Sequence, residues 1–245
     1  MLIDAKNEIE LLRERFSDSH AELKLRARYE LAMRDPAYFL RWFVWTLDTH
    51  DKEHPVKPFP WHKEHLRLLV ELWKDNYRLS IVKCRQVVAT WLFSALCLWE
   101  ALHPGKLVML QSKKEEDAIG SETLGDGPLG RAKFIFSHIP GRKLLCPIPK
   151  GSNEIGSLGT YGRLEFVELN SGLWAIAQGG DMIRQKTPST IFSDEAAFQP
   201  DAEDSYVASM PCIRDGGRYI ALSTASLVDG GHTRRLHLDE LDETR

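Results

Sequence analysis

The stretch SIVKCRQVVATW, residues 80–91, joins a short apolar run to a longer one through a polar turn. A buried strand that feeds a helix through such a loop can bind an anion. Backbone N–H groups and the positive end of the helix dipole both face the same point. The phosphate-loop template GxxxxGK[ST] adds a lysine for the β- and γ-phosphates and a hydroxyl for Mg²⁺. In that register Thr90 supplies the hydroxyl, Ala89 stands at the lysine position and Val88 at the second glycine. Lys83 stands at the first glycine. The candidate phosphate-binding residues are therefore Lys83, Cys84, Arg85, Gln86, Val87, Val88, Ala89 and Thr90. The stem of Lys83 is long enough to reach the phosphates from the other side of the loop, and Arg85 adds a second positive charge. A buried strand–turn–helix with an incidental lysine and arginine would read the same.

A second group narrows the chemistry. In STIFSDEAAF an apolar run ends on Asp194 and Glu195. Paired acids at a strand end suit phosphoryl transfer: the first carboxylate holds Mg²⁺ through water and the second polarises the attacking water. Acids are also favoured at a helix N-terminus, so DEAAF alone admits that reading. A third run, YIALSTAS, ends on Ser223, Thr224 and Ser226. Hydroxyls there could couple to a γ-phosphate; a Ser/Thr turn is the plain alternative. HKEH at 62–65 places two histidines on one helix face, but no third metal ligand accompanies them, and a surface helix explains them better.

These groups need elements to hold them. Residues 4–33 and the aromatic stretch from Pro36 through RDPAYFLRWFVWTLD carry helical spacing. WHKEHLRLLVELWKD reads as an amphipathic helix with Leu66, Leu69, Val70, Leu72 and Trp73 inward. Strands are expected at 79–83, KLVMLQS, 189–193 and 218–223, and helices at 91–102 and KKEEDAIGSETL. GRLEFVEL and LWAIAQ flank NSG as a hairpin. Residues 120–162 carry many glycines and no clear period. Short buried strands alternating with helices predict an α/β domain with a mainly parallel sheet.

Bulk properties agree with this and exclude little. The 245 residues carry a net charge of −3 and are 43% hydrophobic, enough for one large core without a global basic field. Cysteines at 84, 97, 146 and 212 show no CxxC spacing, so neither a zinc site nor a disulfide framework is expected and the chain reads as intracellular. The apolar run TWLFSALCLWEAL is too short to span a bilayer.

KCRQVVATW, SDEAAF and LSTAS, in this order and spacing, resemble the ATPase domain of a bacteriophage terminase large subunit. YFLRWFVWTLD followed by FPWHKEHLRLL is similar to that family too, and the likeness covers roughly residues 36–226. CRQVVAT keeps Arg85, Gln86 and Thr90 of the family's loop and lacks its glycine and lysine; Lys83 fits the deviant form in which the lysine is displaced. The resemblance implies a P-loop NTPase of the additional-strand, catalytic-glutamate type. It implies an N-terminal helical or lid segment over 1–50, an ATPase core over 51–228, and a linker over 229–245 toward a nuclease domain. Nuclease activity is not expected here. The implied cofactors are ATP and Mg²⁺, with Glu195 as base and Asp194 and Thr90 on the metal. Trp61 and His62 would hold adenine, although the family has glutamine where His62 stands. Arg184 would reach a neighbouring subunit's ATP; Arg85 acting in cis and a surface Arg184 paired with Asp181 are the alternatives. The implied partners are double-stranded DNA, the portal of a procapsid, a small terminase subunit and further copies in a five-membered ring, the chain being monomeric in isolation. The setting would be the host cell cytoplasm. A helicase-like ATPase and a non-catalytic nucleotide-binding capsid-assembly module are the rival readings.

Overall fold

Pro36 opens a helix because its ring presets φ and its missing N–H would lack a partner there anyway. Asp35 caps the same turn, accepting a hydrogen bond from the Ala37 N–H at 3.0 Å. The computed structural model describes residues 18–85, 87–152 and 158–224. Its first helices are α1 (Asp18–Arg34) and α2 (Pro36–Phe43). The first part of the predicted helix over 4–33, and all of 229–245, lie outside the described residues. Helix α2 ends earlier than its aromatic pattern suggests. Val44 turns extended, and β1 (Trp45–Leu47) pairs antiparallel with β2 (Val56–Pro58). Val44 and Thr46 are β-branched and favour the extended chain once a partner strand is present. The expected boundary at residue 50 thus falls inside a hairpin. Phe39, Leu40 and Phe43 of α2 also share one buried cluster with Leu92, Phe93 and Leu96, so these helices are part of the core's own packing.

Helix α3 (Glu64–Asp75) buries Leu66, Val70 and Trp73. Leu72, expected inward, is 38% exposed; two residues past Val70, it has rotated off the buried stripe. The sheet begins with β3 (Arg78–Lys83), followed by helix α4 (Ala89–Ala101), β4 (Leu107–Gln111), and helices α5 (Glu115–Ile119), α6 (Pro128–Ser137) and α7 (Arg142–Leu145). The hairpin β5 (Arg163–Phe166) and β6 (Ser171–Ile176) comes next, then α8 (Asp181–Gln185), β7 (Thr190–Asp194), α9 (Ala202–Arg214) and β8 (Arg218–Thr224). Strand order is β3-β8-β7-β4-β6-β5. Every pairing is parallel except β5 with β6, the hairpin read from NSG. All five residues of β7 are buried, as a strand covered on both faces requires. The fold is the mainly parallel α/β sheet expected, and β8 is inserted between the loop strand β3 and the acidic strand β7.

That insertion positions the site. The carboxyl ends of β3, β8 and β7 lie side by side, with Lys83 in register with Thr224 and Asp194 with Leu222. Ligands of open α/β sheets bind at this edge. Among the described residues, no helix is long and apolar enough to cross a membrane.

The glycine-rich middle hides α6. Gly127 caps it at φ 61° and Pro128 opens it, a pairing with a clear helix-start logic. Its packing is close: a methyl on Gly130 would stand 2.7 Å from the Ser121 carbonyl oxygen. Gly→Ala in an exposed helix normally stabilises by about 1 kcal/mol. Gly130→Ala is expected instead to destabilise by about 1–3 kcal/mol, because the Ser121 backbone must move. A lower urea midpoint at unchanged m-value is the expected result; a raised midpoint would show that the segment yields freely.

Candidate active site

The residues at the sheet's carboxyl edge share one cavity of about 1180 Å³, lined among others by Lys83, Thr90, Arg131, Asp194, Glu195 and Thr224. One wall is the start of α4. Val88 caps that helix at φ 64°. The template places glycine at this point, and the backbone takes the left-handed conformation even though the residue is β-branched, at a cost of about 1–2 kcal/mol. Burial of most of α4 in the core holds the turn in place. His65 on α3 adds a tether, its Nε2–H donating to the Val87 carbonyl at 3.2 Å.

The acidic side meets the loop directly. Lys83 Nζ donates to Glu195 Oε1 at 2.9 Å, reaching from β3 past the end of β8. The other oxygen, Oε2, accepts from the Thr224 N–H at 3.0 Å and from Thr224 Oγ1 at 3.1 Å. Glu195 itself sits at φ 51°. The turn behind it is tied down by Ser223, whose Oγ accepts from the Ala197 N–H at 3.2 Å. Partial burial works to raise the Glu195 carboxyl, but the bonds from Lys83 and Thr224 outweigh it and hold the group below the usual glutamate range.

Asp194 differs. Burial pushes its carboxyl up to about 6, against the pull of Arg131 and Lys83 and with some help from Glu195. Thr90 Oγ1 donates to its Oδ1 at 3.4 Å. One hydroxyl and one carboxylate are hard oxygen donors. Among the described residues no group of three or more histidine, cysteine, aspartate or glutamate side chains could hold a metal. That set suits Mg²⁺, which keeps several waters and takes one or two carboxylates plus substrate phosphates. It does not suit zinc, which needs three or four protein ligands.

No protein-family model and no curated protein matches the sequence. Solved structures do match. The large terminase of bacteriophage HK97 superimposes with a TM-score of 0.62 at 12% identity, over 86% of this chain and 41% of that one. The chain has the terminase ATPase fold. It spans less than half the length of the HK97 protein. The ATPase domain of the Thermus phage P74-26 large terminase matches with a TM-score of 0.42 at 15% identity, over 69% of this chain and 67% of that one.

Within this terminase fold the residues singled out from the sequence separate into groups. Lys83, Arg85, Val87, Val88, Ala89, Thr90, Asp194, Glu195 and Thr224 all line the cavity. Cys84 is exposed and does not line it. Ser223 is buried behind Glu195; its Oγ accepts from the Ala197 N–H and donates to Glu195 Oε2 at 3.4 Å. Gln86 and Ser226 lie outside the described residues. Trp61 and His62 are not in the cavity lining, whereas their neighbours Pro60 and Lys63 are. The reason is apolar: the Trp61 ring packs on the main core instead. Arg184 is also elsewhere. Its guanidinium forks onto Asp204, with Asp181 at 3.5 Å, and those bonds to Asp204 raise its pKa. Arg131 was not singled out from the sequence. It lies in α6, in the glycine-rich stretch without a clear period; the one available signal was the GDGPLGR start of that helix.

Glu195 supplies a prediction with a definite sign. Its folded-state pKa lies below its ordinary value of 4.5. Its contribution to stability is therefore present above that value and lost as pH falls through the folded pKa. Lys83→Ala removes the strongest lowering partner. The Glu195 carboxyl, followed by carbon-13 NMR, should titrate at higher pH in that variant, and the acid-side loss of stability should shrink. An unchanged titration would assign the whole effect to Thr224.

Proposed function

We propose that this chain is the ATP-hydrolysing motor domain of a viral terminase large subunit, driving double-stranded DNA into a capsid. One observation carries the reading. The lysine of a loop that lacks the template lysine bonds the glutamate that follows the acidic strand β7, beside a Thr90–Asp194 pair and in one cavity. That is the donor set of a nucleotide hydrolase, assembled from three parts of the chain.

The chemistry follows from the placement. The N–H groups at the start of α4 and the loop cradle the phosphates. Thr90 and Asp194 would hold Mg²⁺, which would supply positive charge against the phosphates. Glu195 accepts a proton from the attacking water as its oxygen bonds to the γ-phosphorus. The bond to the ADP oxygen then breaks, and ADP leaves with the electron pair. Thr224 keeps the Glu195 carboxylate in place by its second oxygen. Lys83 exchanges Glu195 for the phosphates as nucleotide enters, which couples base release to binding. In this reading the partners are a portal, a small terminase subunit and further copies in a ring. A role for Arg184 on a neighbour's ATP would first require it to leave Asp204.

Glu195→Gln is expected to keep ATP binding and to lower turnover by about 10²–10⁴-fold. Asp194→Asn should instead weaken Mg²⁺-dependent binding. Both are read from phosphate release and nucleotide titration. Near-normal turnover in Glu195→Gln would remove the base assignment. Stimulation of hydrolysis by DNA together with portal-bearing procapsids is the test of the motor role; ATPase activity indifferent to both would favour another P-loop function.

A further inference from the structure

Arg131 is a cation of the cavity whose charge has no direct answer. It lies in the first turn of α6, one residue past the close contact of Gly130 with Ser121. Its guanidinium carbon stands 5.6 Å from the centroid of the Trp91 ring on α4. Phe134, three residues on, meets the same ring edge-on at 5.4 Å. Helix α6 is thus packed on α4 by the face that carries Arg131. The Nε atom is buried with no hydrogen-bond partner. Among the described residues, no carboxylate forms an ion pair with it. Asp194, Asp126 and Glu195 are close enough only to offset in part the fall in its pKa that burial causes.

A guanidinium cannot shed its proton under ordinary conditions, so burial does not neutralise it. Arg131 is half-buried with its Nε fully covered; a charge withdrawn from water without a paired ion is costly and is relieved by an anion that completes the site. The other cations lining the cavity are differently placed. Lys83 is bonded to Glu195, Lys57 is paired with Asp51, Arg85 and Lys113 are exposed, and Lys63 is half-buried. The acids nearest Arg131 include the proposed metal carboxylate and the proposed base, which mark the end of the site where the terminal phosphate must lie.

The geometry points to Arg131 as a residue of the same chain that binds the terminal phosphate and makes the site prefer a nucleoside triphosphate over a diphosphate. This rests on the nucleotide reading of the cavity. The planar fork of arginine suits two phosphate oxygens at once, and the Trp91 ring lies within cation–π reach of its charge.

The test is calorimetric titration, with Mg²⁺, of ADP and of the non-hydrolysable β,γ-imido analogue of ATP. Wild-type protein, Arg131→Gln and Arg131→Lys are compared, with a thermal melt of each. Arg131→Gln should lose triphosphate affinity by about 10–100-fold and hold ADP affinity within about twofold. Arg131→Lys should fall between, because an ammonium lacks the fork. If Arg131→Gln does not fold, the lysine variant carries the test, with a several-fold loss of triphosphate preference expected. An unchanged preference in the folded variant, or equal losses for both nucleotides, overturns the inference and leaves the nucleotide reading standing. Wild-type protein that binds neither nucleotide overturns both.

Discussion

The bond between Lys83 and Glu195 is the constraint around which the rest is arranged. The two residues leave strands that are not neighbours; β8 runs between them. Adjacent strands lie about 4.8 Å apart, so two long side chains must lean toward each other over the end of β8. Thr224 is the residue at that end, and it meets the shared carboxylate from below with both its N–H and its hydroxyl. The pair is unequally covered, Lys83 being 12% and Glu195 39% exposed. Desolvation offsets much of the attraction in such a pair. Its importance is therefore positional. It holds the ends of two strands that are not neighbours, and two opposite charges, at one point of the cavity.

Strain collects around this bond. Three described residues other than glycine have positive φ: Val88, Asn170 and Glu195. Asn170 turns a hairpin, which asparagine does readily. Val88 and Glu195 are the two that frame the cavity, one on each side. Residues held in sparsely populated conformations persist only where surrounding structure overdetermines them. Here the buried body of α4 holds the first, and the Ser223 and Thr224 bonds hold the second. The strain at the site is thus supported by a helix and a strand that are themselves core elements.

Charge in the cavity is arranged in the same layered way. Asp194 is the deeper acid and Glu195 the more open one, and their carboxyls move in opposite directions from the ordinary range. Burial dominates at Asp194, while direct hydrogen bonds dominate at Glu195. Helix α6 closes the third side, set against the 120–127 segment so tightly that Gly130 has no room for a methyl. The guanidinium of Arg131 is carried by that helix, whose Phe134 also meets Trp91.

Much of the site could be read from residue order alone. Lys83, Thr90, Asp194, Glu195 and Thr224 each follow an apolar run of strand character or open a buried helix, and parallel strands bring their carboxyl ends to one edge by topology. Periodicity and the placement of Pro and Gly are local signals, and these residues lie where local signals are strong. Tertiary structure decided what had no local signature. It set the half-buried Trp61 ring against the core, because covering part of an indole outweighs any preference visible in the PWH stretch. It bound Arg184 to Asp204, twenty residues away in sequence, an ion pair that no spacing rule announces. It brought Arg131 from a glycine-rich segment into the cavity, because close packing of α6 on Ser121 and Trp91 depends on the shape of two distant surfaces. Sequence determined the strand ends and their chemistry through local preference; the three-dimensional packing alone decided which distant side chains complete the charge of the site.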